Sequence, residues 1–243
     1  MKINWGIIKF LVVTSLIVFL FGFSKQRNEQ RKIAKIDLSF KDENRMFITK
    51  KSVNKLLIQN KDSLPSIDKE TLALNMMESR LLENPMIKNA EVYVTIDGVL
   101  GAKIEQRNPI ARVTDSPDFY LDEDGLKMPL STVHSERVIL ISKISENQYK
   151  EVSELVKRIL EDKFMRECIV GMEVAPDGNI NLRIRKSNFK VLFGKASDIA
   201  NKFQKFKAFY KLTKRDSLLD KYQLVNLKFS NQVVATKRKT NGE

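Results

Sequence analysis

Residues 90–104 read AEVYVTIDGVLGAKI, and this stretch decides the fold of the first half of the chain. Apolar side chains alternate with polar or aromatic ones from Val92 to Ile96, which is the period of a half-buried strand. The Asp97-Gly98 pair is a strong turn signal, because glycine readily adopts the positive φ that a tight hairpin requires. Apolar residues alternate again on the return, so the stretch predicts two antiparallel strands.

The segments before this hairpin predict one further strand and two helices. Alternating apolar residues indicate a strand over 33–40, and Thr49 is placed to cap a short helix. A longer helix is predicted over 68–82, and Pro85 follows its end because proline cannot continue a helix interior. The order β-α-α-β-β predicts a small α+β domain over 33–113, with both helices on one face of a three-stranded sheet.

Beyond Pro109 the pattern shifts towards short strands and predicts a mixed β domain over 114–236 that includes two helices. The helices are predicted over 146–164 and 196–212, because apolar residues recur there with helical spacing. Short apolar runs between turn residues predict the strands of this domain: 119–121, 126–128, 138–141, 169–175, 180–185, 189–193, 222–229 and 232–236. Residues 237–243 form a polar tail that is expected to fray.

Residues 5–23 read WGIIKFLVVTSLIVFLFGF, 19 residues that only Lys9 interrupts. Because about 20 apolar residues span a bilayer, this segment predicts a membrane helix between a tail at 1–4 and a polar linker at 24–32. A cleaved signal peptide is the alternative, but no small-x-small cleavage site follows and a basic cluster begins at once. The positive charges on the two flanks favour opposite orientations, so the positive-inside rule does not orient the helix.

The net charge of +13 allows three classes of ligand: nucleic acid, anionic lipid headgroups and an acidic protein. The aromatic residues among the lysines of 202–211 fall on one helical stripe, which indicates a core and argues against nucleic acid. A single cysteine, Cys168, and a single histidine, His134, argue against disulfides and against zinc. The sequence lacks phosphate-binding loops and hydrolase signatures. We therefore predict no catalytic residue, metal, cofactor or small-molecule substrate.

Several segments, taken together, resemble the FtsQ/DivIB family of bacterial cell division proteins. NPMIKNAEVY at 84–93 is similar to the helix exit and second strand of the family's POTRA domain. KIEQRNPIARV at 103–113 resembles the third strand and the E-R-x-P-x-A junction after it. YLDEDG at 120–125 resembles the LD-x-x-G hairpin that begins the family's β domain. YQLVNLKF at 222–229, followed by NQVV at 231–234, resembles its terminal strands.

The resemblance implies a non-catalytic scaffold of the division septum. Residues 5–23 would hold it in the inner membrane, with the N-terminus in the cytoplasm and the bulk of the chain in the periplasm. Its partners would be FtsB/FtsL-like membrane proteins, bound chiefly by adding a strand to the terminal strands, whose edge presents unpaired N–H and C=O groups. The partner-binding residues expected from this are Lys228, Phe229, Ser230, Gln232, Val233, Val234 and Ala235.

Four residues at the domain junction are expected either to contribute to recruitment or to form a rigid connection: Gln106, Arg107, Pro109 and Arg112. Gln106 stands where the family usually has a charged residue, and Phe229 stands where it often has tyrosine. Three alternatives stay open. The terminal strands could serve only the core, and the chain could be a membrane-anchored cell-wall enzyme or a POTRA-bearing transport component.

Overall fold

The computed structural model describes residues 5–29, 35–58 and 67–238. The chain divides into two compact units, Met1–Gln106 and Arg107–Glu243. Each unit contains its own cluster of buried apolar side chains, as separate domains do.

The first helix, α1 (Trp5–Glu29), is long and apolar enough to cross a membrane over Trp5–Gln26, and none of that span is buried within the structure. These properties fit a single-pass anchor. The sequence predicted that the helix ends at residue 23 and that a linker follows. Instead the helix continues to Glu29, because the lysine, glutamine, arginine and glutamate residues there are good helix formers. The rest of the predicted linker and the predicted tail at 1–4 lie outside the described residues.

The first unit confirms the predicted β-α-α-β-β order. Its elements are β1 (Lys35–Phe40), α2 (Lys50–Ile58), α3 (Ile67–Leu82), β2 (Ile87–Val94) and β3 (Val99–Gln106). Strand β3 lies in the centre of the sheet, parallel to β1 and antiparallel to β2. Val53 of α2 and Leu81 of α3 are fully buried in the core beneath this sheet. Full burial of each such side chain stabilises the domain by roughly 1.5–3 kcal/mol.

Local hydrogen bonds explain where these elements begin and end. The N–H of Ser52 donates to Oγ1 of Thr49 at 3.0 Å, so the predicted cap of α2 is formed. The N–H of Met86 donates to Oδ1 of Asn84 at 3.0 Å after α3 has ended. Gly98 has a φ of 78° at the hairpin turn, a conformation that residues with a Cβ rarely adopt.

The second unit contains twelve described helices and strands, counted without two short 3₁₀ turns. These are β4 (Pro109–Thr114), β5 (Phe119–Asp122), β6 (Lys127–Pro129), β7 (Ile139–Ser142), α4 (Tyr149–Glu161), α5 (Lys163–Cys168), β8 (Ile169–Val174), β9 (Ile180–Ile184), β10 (Lys190–Gly194), α6 (Ile199–Arg215), β11 (Tyr222–Asn226) and β12 (Val234–Lys237). Within the described residues the strands form one mixed sheet in the order β12-β11-β10-β9-β8-β7-β4-β5-β6.

Strand β4 belongs to this large sheet, where it lies antiparallel to β5 and parallel to β7. The predicted boundary after residue 113 had included this segment in the first domain. Its pairing partners lie later in the chain, and the local apolar pattern of a strand does not identify its partner.

The two predicted helices of this unit have different bounds in the structure. The segment predicted over 146–164 forms a 3₁₀ turn (Glu146–Gln148), then α4, then α5. Asp162 separates α4 from α5 because it has extended backbone angles and its side chain accepts a hydrogen bond from the N–H of Met165. The second helix, α6, runs from Ile199 to Arg215, three residues later than predicted at each end.

Apolar side chains of α4 and α6 pack against the strands in the core of the large sheet. Leu155 and Ile159 of α4 and Phe206 of α6 are fully buried. Tyr210 contacts Phe164 edge-on, with ring centroids 5.4 Å apart. The aromatic stripe predicted from the sequence is therefore part of this core.

Candidate functional site

The candidate site is the open edge of the large sheet at β12. This strand is the last in the sheet order and pairs only with β11 among the described strands. Ala235 lies opposite Val225, which is fully buried, and Val234 lies opposite Asn226. Because opposite residues share a face of the sheet, Ala235 is directed to the core side and Val234 to the other side.

The hydrogen bonds of the strand pair show which main-chain groups of β12 are directed outwards. The N–H of Arg238 donates to the C=O of Lys221 at 2.8 Å, and Lys237 lies opposite Tyr222. Since successive residues of an antiparallel strand alternate in direction, Val234 and Thr236 direct their main-chain groups towards β11. Ala235 and Lys237 therefore direct their N–H and C=O groups to the open edge.

The loop between β11 and β12 contains most of the residues predicted to bind a partner. Lys228, Phe229, Ser230 and Gln232 lie in this loop, and Val233 lies immediately before β12. Only Val234 and Ala235 of the predicted set belong to the edge strand. The predicted strands 222–229 and 232–236 are therefore shorter or displaced in the structure.

Two interactions explain why the chain leaves the sheet after Leu227, whose N–H still donates to the C=O of Leu192 on β10 at 2.9 Å. The side-chain Oδ1 of Asn226 accepts a hydrogen bond from the N–H of Lys228 at 2.9 Å, a local turn that competes with strand pairing. Lys205 of α6 donates from Nζ to the C=O of Phe229 at 2.6 Å and to that of Ser230 at 3.2 Å. These hydrogen bonds hold the loop against α6 before β12 begins.

Sequence reasoning missed two residues of this edge. Lys237 is the last residue of β12, although it was predicted to begin a frayed tail; residues 239–243 lie outside the described part of the chain. Lys205 is one lysine among several on a basic helix, and its sequence context contains no signal for its contact with the loop. The strand pattern of Val234, Ala235 and Thr236 continues into Lys237, so the sequence could have predicted a strand that is one residue longer.

The predicted junction residue Gln106 holds together the first unit. Its Oε1 accepts hydrogen bonds from the N–H of Phe47 at 2.7 Å and of Ile48 at 3.2 Å. Its Nε2 donates to the C=O of Arg45 at 3.1 Å. A neutral amide can both accept and donate here, whereas a carboxylate or a cation could do only one. This explains how glutamine serves at the position where a charged residue was expected.

The other junction residues make their contacts within the second unit. Arg107 donates from Nη1 to Oδ2 of Asp122 at 2.9 Å, and the side chain of Asp122 is 1% exposed. The second oxygen of Asp122 accepts from the N–H groups of Asp124 and Leu126, so this carboxylate shapes the β5–β6 turn. Pro109 begins β4. The junction arginine is therefore joined to the acidic hairpin that resembles the start of the family's β domain.

Arg112, which lies on β4, makes the second ion pair of the junction residues. Its Nη2 donates to Oδ2 of Asp118 at 2.7 Å, and Nε donates to the same oxygen at 3.2 Å. The Arg112 hydrogen bond, followed by one from the N–H of Asp115, lowers the pKa of Asp118 below its ordinary value of 3.8. The pair joins β4, which contains Arg112, to Asp118 immediately before β5 and so stabilises this hairpin.

The described residues contain no group of three or more histidine, cysteine or acidic side chains that could hold a metal ion. His134 lies in the loop after β6, where its Nε2 is 3.1 Å from Oε2 of Glu136. Burial raises the pKa of the Cys168 thiol, which disfavours the reactive thiolate.

Comparison with known families divides the chain in two. The model of a POTRA-like domain matches residues 32–105. The model described as "FtsQ/DivIB, C-terminal related" matches residues 108–236, which is more than half of the chain. No curated protein matches. Among solved structures, the major extracytoplasmic domain of the cell division protein DivIB from Geobacillus stearothermophilus is 13% identical, with a TM-score of 0.32, and the match covers 45% of this chain and 96% of that one.

Proposed function

The chain belongs to the FtsQ/DivIB family of bacterial cell division proteins, and we propose that it links membrane proteins of the divisome by accepting a partner's strand at β12. The family is one of non-enzymatic scaffolds, so the chain acts in cell division by holding other proteins. FtsB/FtsL-like single-pass proteins are the proposed partners. The two outward-directed residues of β12 are the observation that supports this mechanism.

A strand added to β12 would form main-chain hydrogen bonds with Ala235 and Lys237. Each such bond contributes about 0.5–1.5 kcal/mol net, so the short edge gives modest affinity by itself. A partner held in the same membrane needs little further affinity, because a shared bilayer raises its effective concentration. We therefore assign to α1 the role of keeping the scaffold and its partners in one membrane.

Side chains beside the edge would provide specificity. Val234 is 40% exposed and Phe229 is 47% exposed. Val234 shares one cross-strand row with Asn226 and Leu192, so this row offers an apolar contact on either side of an amide. Alternate side chains of an added strand would contact it, while main-chain bonds would set the register.

Amide hydrogen exchange tests the proposal directly. The full chain is placed in nanodiscs and measured with and without the purified FtsB/FtsL-like pair from the same cell. We expect exchange at Ala235 and Lys237 to slow by about tenfold or more, because an added strand protects their N–H groups. Lys127, at the opposite end of the sheet, is the internal control. Protection elsewhere, with Ala235 and Lys237 unchanged, would contradict the mechanism.

We also propose that the N-terminus lies in the cytoplasm and both folded units lie in the periplasm. A periplasmic reporter enzyme fused after Glu243 should be active, and a reporter fused before Met1 should be inactive. The opposite pattern would place the folded units in the cytoplasm. The experiment is needed because the charges that flank α1 favour opposite orientations and do not decide between them.

For the junction residues we propose a structural role. Arg107 compensates the buried carboxylate of Asp122, and removing one partner of a buried pair costs about 3–5 kcal/mol because a charge is left unpaired. Arg107→Met should therefore lower the free energy of unfolding strongly, and Arg107→Met with Asp122→Asn should recover part of it. If Arg107→Met leaves stability unchanged but impairs recruitment to the septum, the residue contacts a partner instead.

A further inference from the structure

A basic depression lies on the surface of α5 and α6, separate from the β12 edge. It has a volume of about 700 Å³ and is lined by Phe164, Lys207, Tyr210, Lys211, Lys214 and Arg215. All but Phe164 lie on α6, where residues three and four apart share a face. Four cations and one tyrosine are therefore gathered on one side of a single helix.

The charges of this surface are only partly neutralised. Lys207 pairs with Asp162, and Arg215 pairs with Asp216 at 2.9 Å. Lys211 and Lys214 are exposed and make no ion pair with any residue that the structure describes. Two cations thus stay available to an anionic ligand, with a further lysine and an arginine beside them.

Apolar groups accompany these cations. The rings of Phe164 and Tyr210 meet edge-on in the depression. A tyrosine beside lysines is typical of surfaces that lie in the interface of a membrane.

We propose that this face of α6 docks on an anionic membrane surface, with a lipid headgroup phosphate between Lys211 and Lys214. The chain has its own bilayer within reach, because α1 fits a membrane anchor and raises the effective concentration of lipid around the folded units. Lysines attract anionic headgroups, and the rings of Phe164 and Tyr210 would lie beside the headgroup. This inference does not depend on the binding of a partner at β12.

An acidic protein is the competing ligand, and the lining favours lipid over it. The depression is lined by residues of helices α5 and α6, and a helix has no strand edge to which a peptide could pair. A peptide would find no strand edge there and would bind through side chains alone. A headgroup needs only cations and an apolar boundary, and this surface provides both.

The test uses the full chain with Cys168→Ser and Ala208→Cys, reconstituted in phosphatidylcholine vesicles with or without about 30 mol% phosphatidylglycerol. Ala208 is exposed and lies three residues before Lys211, the spacing of neighbours on one face of a helix. An impermeant fluorophore attached to the introduced thiol labels outward-facing molecules only, and quenching by spin-labelled lipid reports docking. We expect quenching to require phosphatidylglycerol and to weaken in high salt.

Charge-neutral variants locate the effect. Lys211→Gln with Lys214→Gln should weaken docking roughly 25-fold, because each lysine near an anionic leaflet contributes about a fivefold gain. Lys51→Gln with Lys55→Gln removes the same charge from exposed positions of α2 and should change docking little. Quenching that is independent of phosphatidylglycerol, or equal losses in both variants, would overturn the proposal. A fluorescence change with soluble polyglutamate in vesicles that lack phosphatidylglycerol would assign the site to an acidic protein instead.

Discussion

The two ends of the large sheet differ in the main-chain donors that they offer. At β12, Ala235 and Lys237 both direct an N–H to the open edge. At β6, the N–H of Asp122 donates to the C=O of Leu126 at 3.0 Å, so the outward positions are Lys127 and Pro129. Proline has no N–H, and β6 therefore lacks the second donor that β12 has.

The side chains at the two ends also differ, and those at β6 again disfavour the pairing of a further strand. Lys127 places its ammonium 4.3 Å from the centre of the Phe119 ring, which holds a charge beside the β6 edge. Short length, proline and lysine are the features by which proteins prevent unwanted pairing at a sheet edge. The β12 edge has a lysine but retains its donors. One end of the sheet is thus protected, and the other is able to pair.

The largest expected effect comes from removing a donor at β12. Ala235→Pro deletes an outward N–H without breaking the bonds to β11, and its ring obstructs an added strand. We expect affinity for the FtsB/FtsL-like pair to fall about tenfold or more, measured by co-purification and titration of the full chain in nanodiscs. Lys127→Pro is the matched control at β6 and should bind normally. Equal binding by wild type and a folded Ala235→Pro variant would exclude strand addition.

A proline is a sharper test than truncation before β11. Val225 and Leu227 are fully buried in the core of the second unit, so removing residues 222–243 would unfold part of the domain. Loss of binding after that truncation would not separate a missing edge from a damaged core.

The reverse change at β6 should make the protected edge able to pair. Lys127→Thr with Pro129→Thr restores a donor and removes a charge, so we expect weak self-association of the full chain through this edge. Sedimentation velocity should show a concentration-dependent dimer in the double variant. Lys127→Thr alone keeps Pro129 and should sediment as the wild type does under the same conditions. Identical sedimentation of both variants would show that Pro129 does not protect the edge.

The sequence predicted the architecture of the small unit better than that of the edge, for physical reasons. The 90–104 hairpin and the capped helices depend on contacts close in sequence, and their pattern is visible in any window of a few residues. The sheet to which β4 belongs depends on β7, more than twenty residues away. The β12 bounds depend on a local turn at Asn226 and on Lys205 of α6, and neither contact leaves a periodic signal.

Lys205 should affect the edge indirectly. Lys205→Met removes the hydrogen bonds to the carbonyls of Phe229 and Ser230, and we expect a loss of about 1–2 kcal/mol in the free energy of unfolding. Amide exchange at Ala235 and Lys237 should become faster in the free protein, because the loop before β12 loses its attachment to α6. Lys211→Met, on the same helix but without such contacts, should change neither value. An unchanged exchange rate in Lys205→Met would mean that β12 is ordered by β11 alone.

The smallest expected effect is a pH dependence at the protected side of the sheet, where Arg112 lowers the pKa of Asp118. A lowered pKa in the folded state means that the unfolded state binds the proton more tightly, so stability is gained as pH rises. The contribution is complete above the ordinary value of 3.8 and is lost as pH falls through the lower folded value. Urea unfolding of wild type and Asp118→Asn should differ at neutral pH and converge in acid. Because this pair lies at β4 and β5, far from β12 in the sheet order, its loss should leave partner binding at β12 unchanged. A parallel loss of binding would show that the two ends of the sheet are coupled.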